Sequence, residues 1–222
     1  MVLYLQNVMG YSALAAGMVL APMSLLLLIL SPVFGRLSGE RGARLFMTVG
    51  PLLCAGGLLL FTRLHADARF LTDVLPAVLV FGSGMSLTVA PLTDTVMSAV
   101  SDEYSGIAAA FNNVVSRVAG LLAVAGLGVV VSLSFTRLVA SRTAELSLDR
   151  EAEAAVERVA EEPTGAFDVE ALPPEAGSAV TSSYTTAFNR AMVVSAMMAG
   201  LGGVVAWLTI RDGASGEEEE TG

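Results

Sequence analysis

The sequence predicts an all-α membrane protein of about five transmembrane helices, and three observations predict it. Charged residues fill 15% of the 222 positions, where a soluble domain carries them at about a quarter. The deficit is concentrated: residues 1–35, 45–62, 74–93, 118–135 and 191–210 contain no charged side chain. Each run has about the length that crosses a ~30 Å hydrocarbon core at ~1.5 Å per residue. The mean hydropathy of +0.69 is the third sign. One apolar helix fits inside a soluble core, but five in a chain of this size would leave too little polar surface to face water.

In order, the spans fall at about residues 13–33, 45–64, 74–100, 106–135 and 186–210. In hydrocarbon each backbone N–H must find a partner within its own segment, so the runs are helices. Residues 1–12 read as the last turns of a preceding helix and an external turn at Gly10-Tyr11-Ser12. Residues 13–135 form a four-span region. Residues 136–185 form an acidic external loop with one or two short helices, since Leu146, Leu148, Ala152, Val156 and Val159 recur at helical steps before Pro163, Pro173 and Pro174. Residues 186–211 hold the final span, and 212–222 a disordered acidic tail.

The net charge of −9 belongs almost wholly to that loop and that tail. It argues against nucleic-acid partners. Basic residues in short loops set the orientation. Arg36, Arg41 and Arg44 place the first loop in the cytoplasm. Alternation then puts the acidic loop outside and the C-terminus inside, in a multi-pass protein of the cell membrane. The lone Cys54 supports neither a disulfide framework nor a metal site. No H-E-x-x-H, G-x-S-x-G or phosphate-loop pattern occurs, so the sequence offers no enzyme signature and implies no cofactor.

Several motifs resemble one family in combination. Tyr4-Leu5-Gln6-Asn7-Val8-Met9-Gly10-Tyr11-Ser12, then Ala16-Gly17 and Pro22, resembles the fourteen-span drug:proton antiporter branch of the major facilitator superfamily. Ser31-Pro32-Val33-Phe34-Gly35-Arg36-Leu37 with Arg41-Gly42-Ala43-Arg44 is similar to that superfamily's cytoplasmic loop motif, although Gly39 stands where an acid is usual and Glu40 lies beside it. Pro91-Leu92-Thr93-Asp94 and Gly106-Ile107-Ala108-Ala109-Ala110-Phe111-Asn112-Asn113, followed by Arg117 and Gly120, resemble its last cytoplasmic hairpin. The resemblance covers nearly the whole chain. It implies most of a C-terminal helical bundle, with an N-terminal bundle missing and the usual proton-coupling acids of that bundle absent with it.

Six residues are candidates for substrate contact or coupling: Asp94, Asn112, Asn113, Arg117, Gln6 and Asn7. Asp94 falls ~9 Å and Arg117 ~16 Å from the same membrane face by helical rise. An unpaired charge at such depth is costly, so the two form either a gating pair or a structural staple, unless Arg117 reaches the cytoplasmic surface. Asn112 and Asn113 point about 100° apart on one helix, so interhelical hydrogen bonding competes with substrate contact. Gln6 and Asn7 sit near a membrane boundary, where solvated polar residues are ordinary. Met18, Met23, Phe81, Met85 and Phe111 would suit an adaptable apolar wall, or simply lipid. The cytoplasmic loop motif comprises Gly35, Arg36, Arg41, Gly42 and Arg44. Gly17 with Ala21, and Gly200, Gly202 and Gly203, are expected to permit close helix packing.

The resemblance implies proton-coupled efflux of lipophilic or cationic drugs by alternating access, within a full-length transporter. Its partners are the lipid bilayer, protons, a small lipophilic substrate and the missing bundle. A transport-inactive remnant or a half-transporter subunit is the alternative, and an unrelated five-span channel a further one.

Overall fold

The structure is a computed structural model that describes residues 1–98, 101–144, 146, 148, 150–161 and 172–210. Among these, every regular element is helical, as the charge-free runs require. The α-helices are α1 (Val2–Asn7), α2 (Ala13–Met18), α3 (Ala21–Arg41), α4 (Ala43–Phe61), α5 (Leu75–Ser98), α6 (Ser105–Thr143), α7 (Arg150–Glu161) and α8 (Pro174–Thr209). A π turn, Phe70–Val74, precedes α5, and a short 3₁₀ turn, Asp102–Tyr104, precedes α6. Five stretches are long and apolar enough to cross a membrane: Ala13–Arg41, Ala43–Phe61, Phe70–Thr93, Ser105–Thr143 and Pro174–Thr209.

Local chemistry sets the boundaries. After α1 the chain turns through Gly10 at φ 67°, and the Tyr11 N–H returns to the Leu5 carbonyl at 2.9 Å. Ser12 caps α2 by accepting the Ala15 N–H at 3.2 Å. Gly42 alone joins α3 to α4 at φ 88°, a left-handed conformation that any other L-residue would adopt only with strain. Asp73 holds the start of α5: its carboxylate accepts the Arg69 N–H at 2.7 Å and the Thr72 hydroxyl at 3.1 Å. Pro22 and Pro174 stand at or next to the first position of their helices, where no intrahelical donor is needed.

Two helices outrun their apolar cores. α6 continues to Thr143, and α8 begins at Pro174, with Glu175 favouring the positive end of its dipole. The helical pattern expected over residues 140–160 is interrupted: Leu146 and Leu148 are not helical, and α7 starts only at Arg150. α7 buries Ala152 and Val156, one turn apart, and exposes Glu151, Glu153 and Glu157.

Contacts divide the chain into two compact units. The first holds Met1–Ala21, Leu58–Ala77 and Ala119–Ser195. Its core is aromatic: Tyr4 stacks on Phe188 with ring centroids 4.3 Å apart, and Phe135 meets Tyr184 edge-on at 5.6 Å. The Tyr4 hydroxyl donates to the Leu64 carbonyl at 3.0 Å, which fastens α1 to the turn that follows α4. Thr136 donates to the Ala160 carbonyl at 3.2 Å and so anchors the end of α7 on α6.

The second unit holds Pro22–Gly57, Val78–Val118 and Ala196–Gly222. Here α4 and α5 pack almost backbone to backbone. A Cβ on Gly84 would stand 2.5 Å from the Cys54 nitrogen, and one on Gly57 would stand 2.7 Å from the Phe81 Cα. Of the glycines expected to permit close packing, Gly203 does so: its Cβ would meet the Thr48 carbonyl oxygen at 2.9 Å. Gly17, Gly200 and Gly202 face open space instead. A glycine brings helices together only where a second backbone lies opposite, and sequence does not say which face that is.

Candidate functional site

The candidate residues divide between the two units. In the second, Asp94 lies on α5, one turn beyond Pro91. Pro91 lacks an N–H, which deprives the preceding turn of a backbone bond. Two threonines brace the helix around Asp94: Thr93 donates to the Val89 carbonyl at 3.0 Å and Thr95 to the Pro91 carbonyl at 2.7 Å. The expected pairing of Asp94 with Arg117 falls on a side chain outside the described residues.

Asn112, Asn113 and Arg117 lie on α6. Asn112 is half-buried, while Asn113 and Arg117 are exposed. Their surroundings on the helix are unusual. In the apolar window of α6 only 6% of residues are buried, against 39% in the span that contains α5. Phe111, Val114, Val115 and Val118 are exposed together with the polar residues. Lipid can solvate the apolar ones, but Asn113 and Arg117 need water, a polar partner or a wet cavity.

Met23 packs its Cγ within 3.1 Å of the point where Gly82 would carry a Cβ. Phe81 lies against Gly57 and is half-buried, as is Met85. Met18 and Phe111 are 65% and 70% exposed.

The loop motif serves two structural ends. Gly42 makes the left-handed turn, and Gly35 of α3 faces Ala90 of α5, where a Cβ would sit in ordinary contact at 3.6 Å, so the approach does not require glycine. Arg36 and Arg41 are exposed at the end of α3. Arg44 reaches across to α8: its guanidinium carbon lies 3.9 Å from the centre of the Trp207 ring, and its Nε donates to the Trp207 carbonyl at 3.0 Å. That carbonyl belongs to the last turn of α8, which has no helical donor of its own and carries the negative end of the dipole. Replacing Arg44 with alanine removes a cation–π contact and a cap together. It should destabilise the chain by about 1 kcal/mol. Arg44→Lys should recover under half of that, because an ammonium lacks the planar fork. Thermal unfolding in detergent measures both.

In the first unit, Gln6 is half-buried and Asn7 is buried. Asn7 hydrogen-bonds the Tyr184 side chain, and Thr185 is a second neighbour of the Tyr4 hydroxyl. Asn7 is thus part of a packed polar link between α1 and α8 rather than a solvated boundary residue. Two polar atoms escaped the sequence reading. Ser38 Oγ and Asn189 Oδ1 are buried without a hydrogen-bond partner.

Residues 1–124 match the family model of the Major Facilitator Superfamily. The chain belongs to that superfamily. A tetracenomycin C resistance and export protein of Streptomyces glaucescens is 30% identical over 220 residues, covering 93% of this chain and 39% of the relative. The multidrug resistance protein Stp of Mycobacterium tuberculosis is 32% identical over 129 residues, 58% of this chain and 24% of its own. A puromycin resistance protein of Streptomyces alboniger is 33% identical over 130 residues, 57% of this chain and 26% of its own. The chain therefore spans between 24% and 39% of these relatives. As a member of the superfamily with five apolar helices, it is a multi-pass membrane protein whose spans lie in lipid.

Proposed function

We propose that the chain is part of a proton-coupled exporter that moves lipophilic, often cationic compounds across the cell membrane by alternating access. It acts with an N-terminal bundle, and the loop bearing Arg36, Arg41 and Arg44 faces the cytoplasm, as does the C-terminus. The supporting observation is α6. A helix with 6% of its apolar window buried carries Asn112, Asn113 and Arg117, groups that lipid alone solvates poorly. Such a helix suits the wall of a wet cavity completed by a second bundle. The family membership and the resistance and export names of the relatives point the same way. Asp94, Asn112, Asn113 and Arg117 would line that cavity. A substrate of mixed polarity would meet Phe111 beside the amides.

The test is a chimera. The chain is fused behind the N-terminal portion of the Streptomyces glaucescens export protein and assayed in everted vesicles. Acidifying the lumen should drive ethidium across the membrane into the vesicles, and collapsing the proton gradient should stop it. A chimera that inserts and folds yet moves no compound in either condition would favour a transport-inactive scaffold.

A further inference from the structure

α3 and α4 meet at one left-handed residue, Gly42, and the corner they form is rich in arginine. Arg36 and Arg41 are exposed on its α3 side, with the exposed Glu40 between them in sequence. Neither arginine forms a hydrogen bond or ion pair with another described residue. Arg44, on the α4 side, is engaged with Trp207, over the ring at 3.9 Å and with the carbonyl at 3.0 Å. The corner therefore keeps an excess of positive charge that its own side chains do not neutralise.

The contact between Arg44 and Trp207 fixes where the chain leaves α8. Gly203, one turn earlier, holds α8 against α4, since a Cβ there would stand 2.9 Å from the Thr48 carbonyl oxygen. All of these residues belong to the second compact unit. Residues 211–222 lie outside the described ones, but their sequence carries the complementary charge. Glu217–Glu220 are four consecutive acids, separated from Arg211 and Asp212 by Gly213-Ala214-Ser215-Gly216. Ten residues lead from Trp207 to Glu217, and a chain of that length reaches at most about 35 Å. Arg41 is three peptide units from Arg44, hence within about 11 Å of it, Cα to Cα. Arg36 lies about 7.5 Å further along α3. Both guanidiniums stand well inside the reach of the glutamates.

A single exposed ion pair is weak. Several acting together on a tethered segment gain from an effective concentration on the order of millimolar. The screening length is about 8 Å at physiological salt, so such a contact is short-ranged and salt-sensitive.

We propose that the acidic segment Glu217–Glu220 docks on the corner between α3 and α4, with its carboxylates at the free guanidiniums of Arg36 and Arg41. Trp207, clamped by Arg44, is the pivot that delivers it. The docked segment screens this corner from anionic lipid phosphates, the other polyanions that meet a loop at a membrane boundary. The assignment uses neither the export reading nor a second bundle.

The chain contains no lysine, so Arg41→Lys introduces its only side-chain amine. That variant is placed in phosphatidylcholine nanodiscs and treated with a carbodiimide. The amine and a carboxylate condense to an amide, and the carbodiimide takes up the elements of water as a urea. Peptide mass spectrometry locates the bond, which at low salt should join residue 41 to Glu217–Glu220. Raising the salt to about 1 M, where the screening length is about 3 Å, should cut the yield about fivefold or more. Arg36→Glu, at an exposed site, should cut it about threefold or more while leaving both reacting groups in place. Trp207 is the only tryptophan, so an unchanged emission spectrum shows that the clamp survives in each variant. Replacing about a third of the lipid with phosphatidylglycerol should leave more than about half of the yield. Absence of the amide to Glu217–Glu220, or a yield indifferent to salt and to Arg36→Glu, would overturn the proposal. Loss of nearly all of it in phosphatidylglycerol discs would overturn it too, and would assign the corner to anionic lipid.

Discussion

Gly84→Val is expected to separate α4 from α5 and to lower stability by about 3 kcal/mol or more, the upper end of overpacking costs. The reason is the identity of the atoms it would meet. A Cβ at Gly84 lies 2.5 Å from the Cys54 nitrogen and 2.7 Å from the Gly50 carbonyl oxygen, and both are backbone. A side chain can rotate away from such a clash, whereas a helix backbone must translate as a body. Gly57 reinforces the seam against the Phe81 backbone, so a shift relieving one contact disturbs the other. Gly126→Ala is the paired control. A Cβ there meets nothing within 4 Å, and alanine in a helix is worth about 0.5–1 kcal/mol over glycine. That substitution should leave stability unchanged or raise it. Unfolding in detergent, followed by circular dichroism, compares them. Equal melting temperatures for Gly84→Val and the parent chain would mean that the seam is not close-packed.

The difference between these two glycines shows where sequence ceases to inform. Charge-free runs revealed the five spans because hydrocarbon excludes charge regardless of fold. The turn at Gly10 and the loop at Gly42 were legible as glycines between helices. Gly84 and Gly126, by contrast, lie in apolar runs that read alike. Only the backbone opposite separates them, and that contact is non-local. Arg44 illustrates the same boundary. Its place in a basic loop motif was plain, but its partner Trp207 lies at the far end of the chain. The helix ends in the acidic segment mark the same boundary. Polarity suggested a loop with short helices; α7 is one of them, and α6 and α8 also extend into the segment, where Arg142 donates to Ser182 of α8 and Thr136 to the Ala160 carbonyl of α7. The orphaned oxygens of Ser38 and Asn189 carried no signal at all, since an unmet hydrogen bond is a property of the surroundings.

Asp94→Asn should reduce proton-driven efflux by the chimera about tenfold or more while leaving its stability within about 1 kcal/mol of the parent. Asparagine keeps the size and the hydrogen-bonding reach of aspartate but cannot take up and release a proton. The helix that carries Asp94 is already locally supported, because Thr93 and Thr95 bond back to the Val89 and Pro91 carbonyls on either side of it. Neutralisation should therefore act on coupling rather than on helix integrity. Arg117→Gln discriminates the rival role. If the two charges merely staple α5 to α6, each single substitution strands the other charge and lowers stability, while the double substitution restores much of it. If they serve coupling, neither single substitution lowers stability by more than about 1 kcal/mol, and the double variant, equally stable, still lacks gradient-dependent transport. Efflux rate and melting temperature measured on the same four proteins separate these outcomes. Undiminished efflux by Asp94→Asn would remove that carboxylate from the mechanism and move the search to the amides of Asn112 and Asn113, which face their surroundings from the least buried of the five spans.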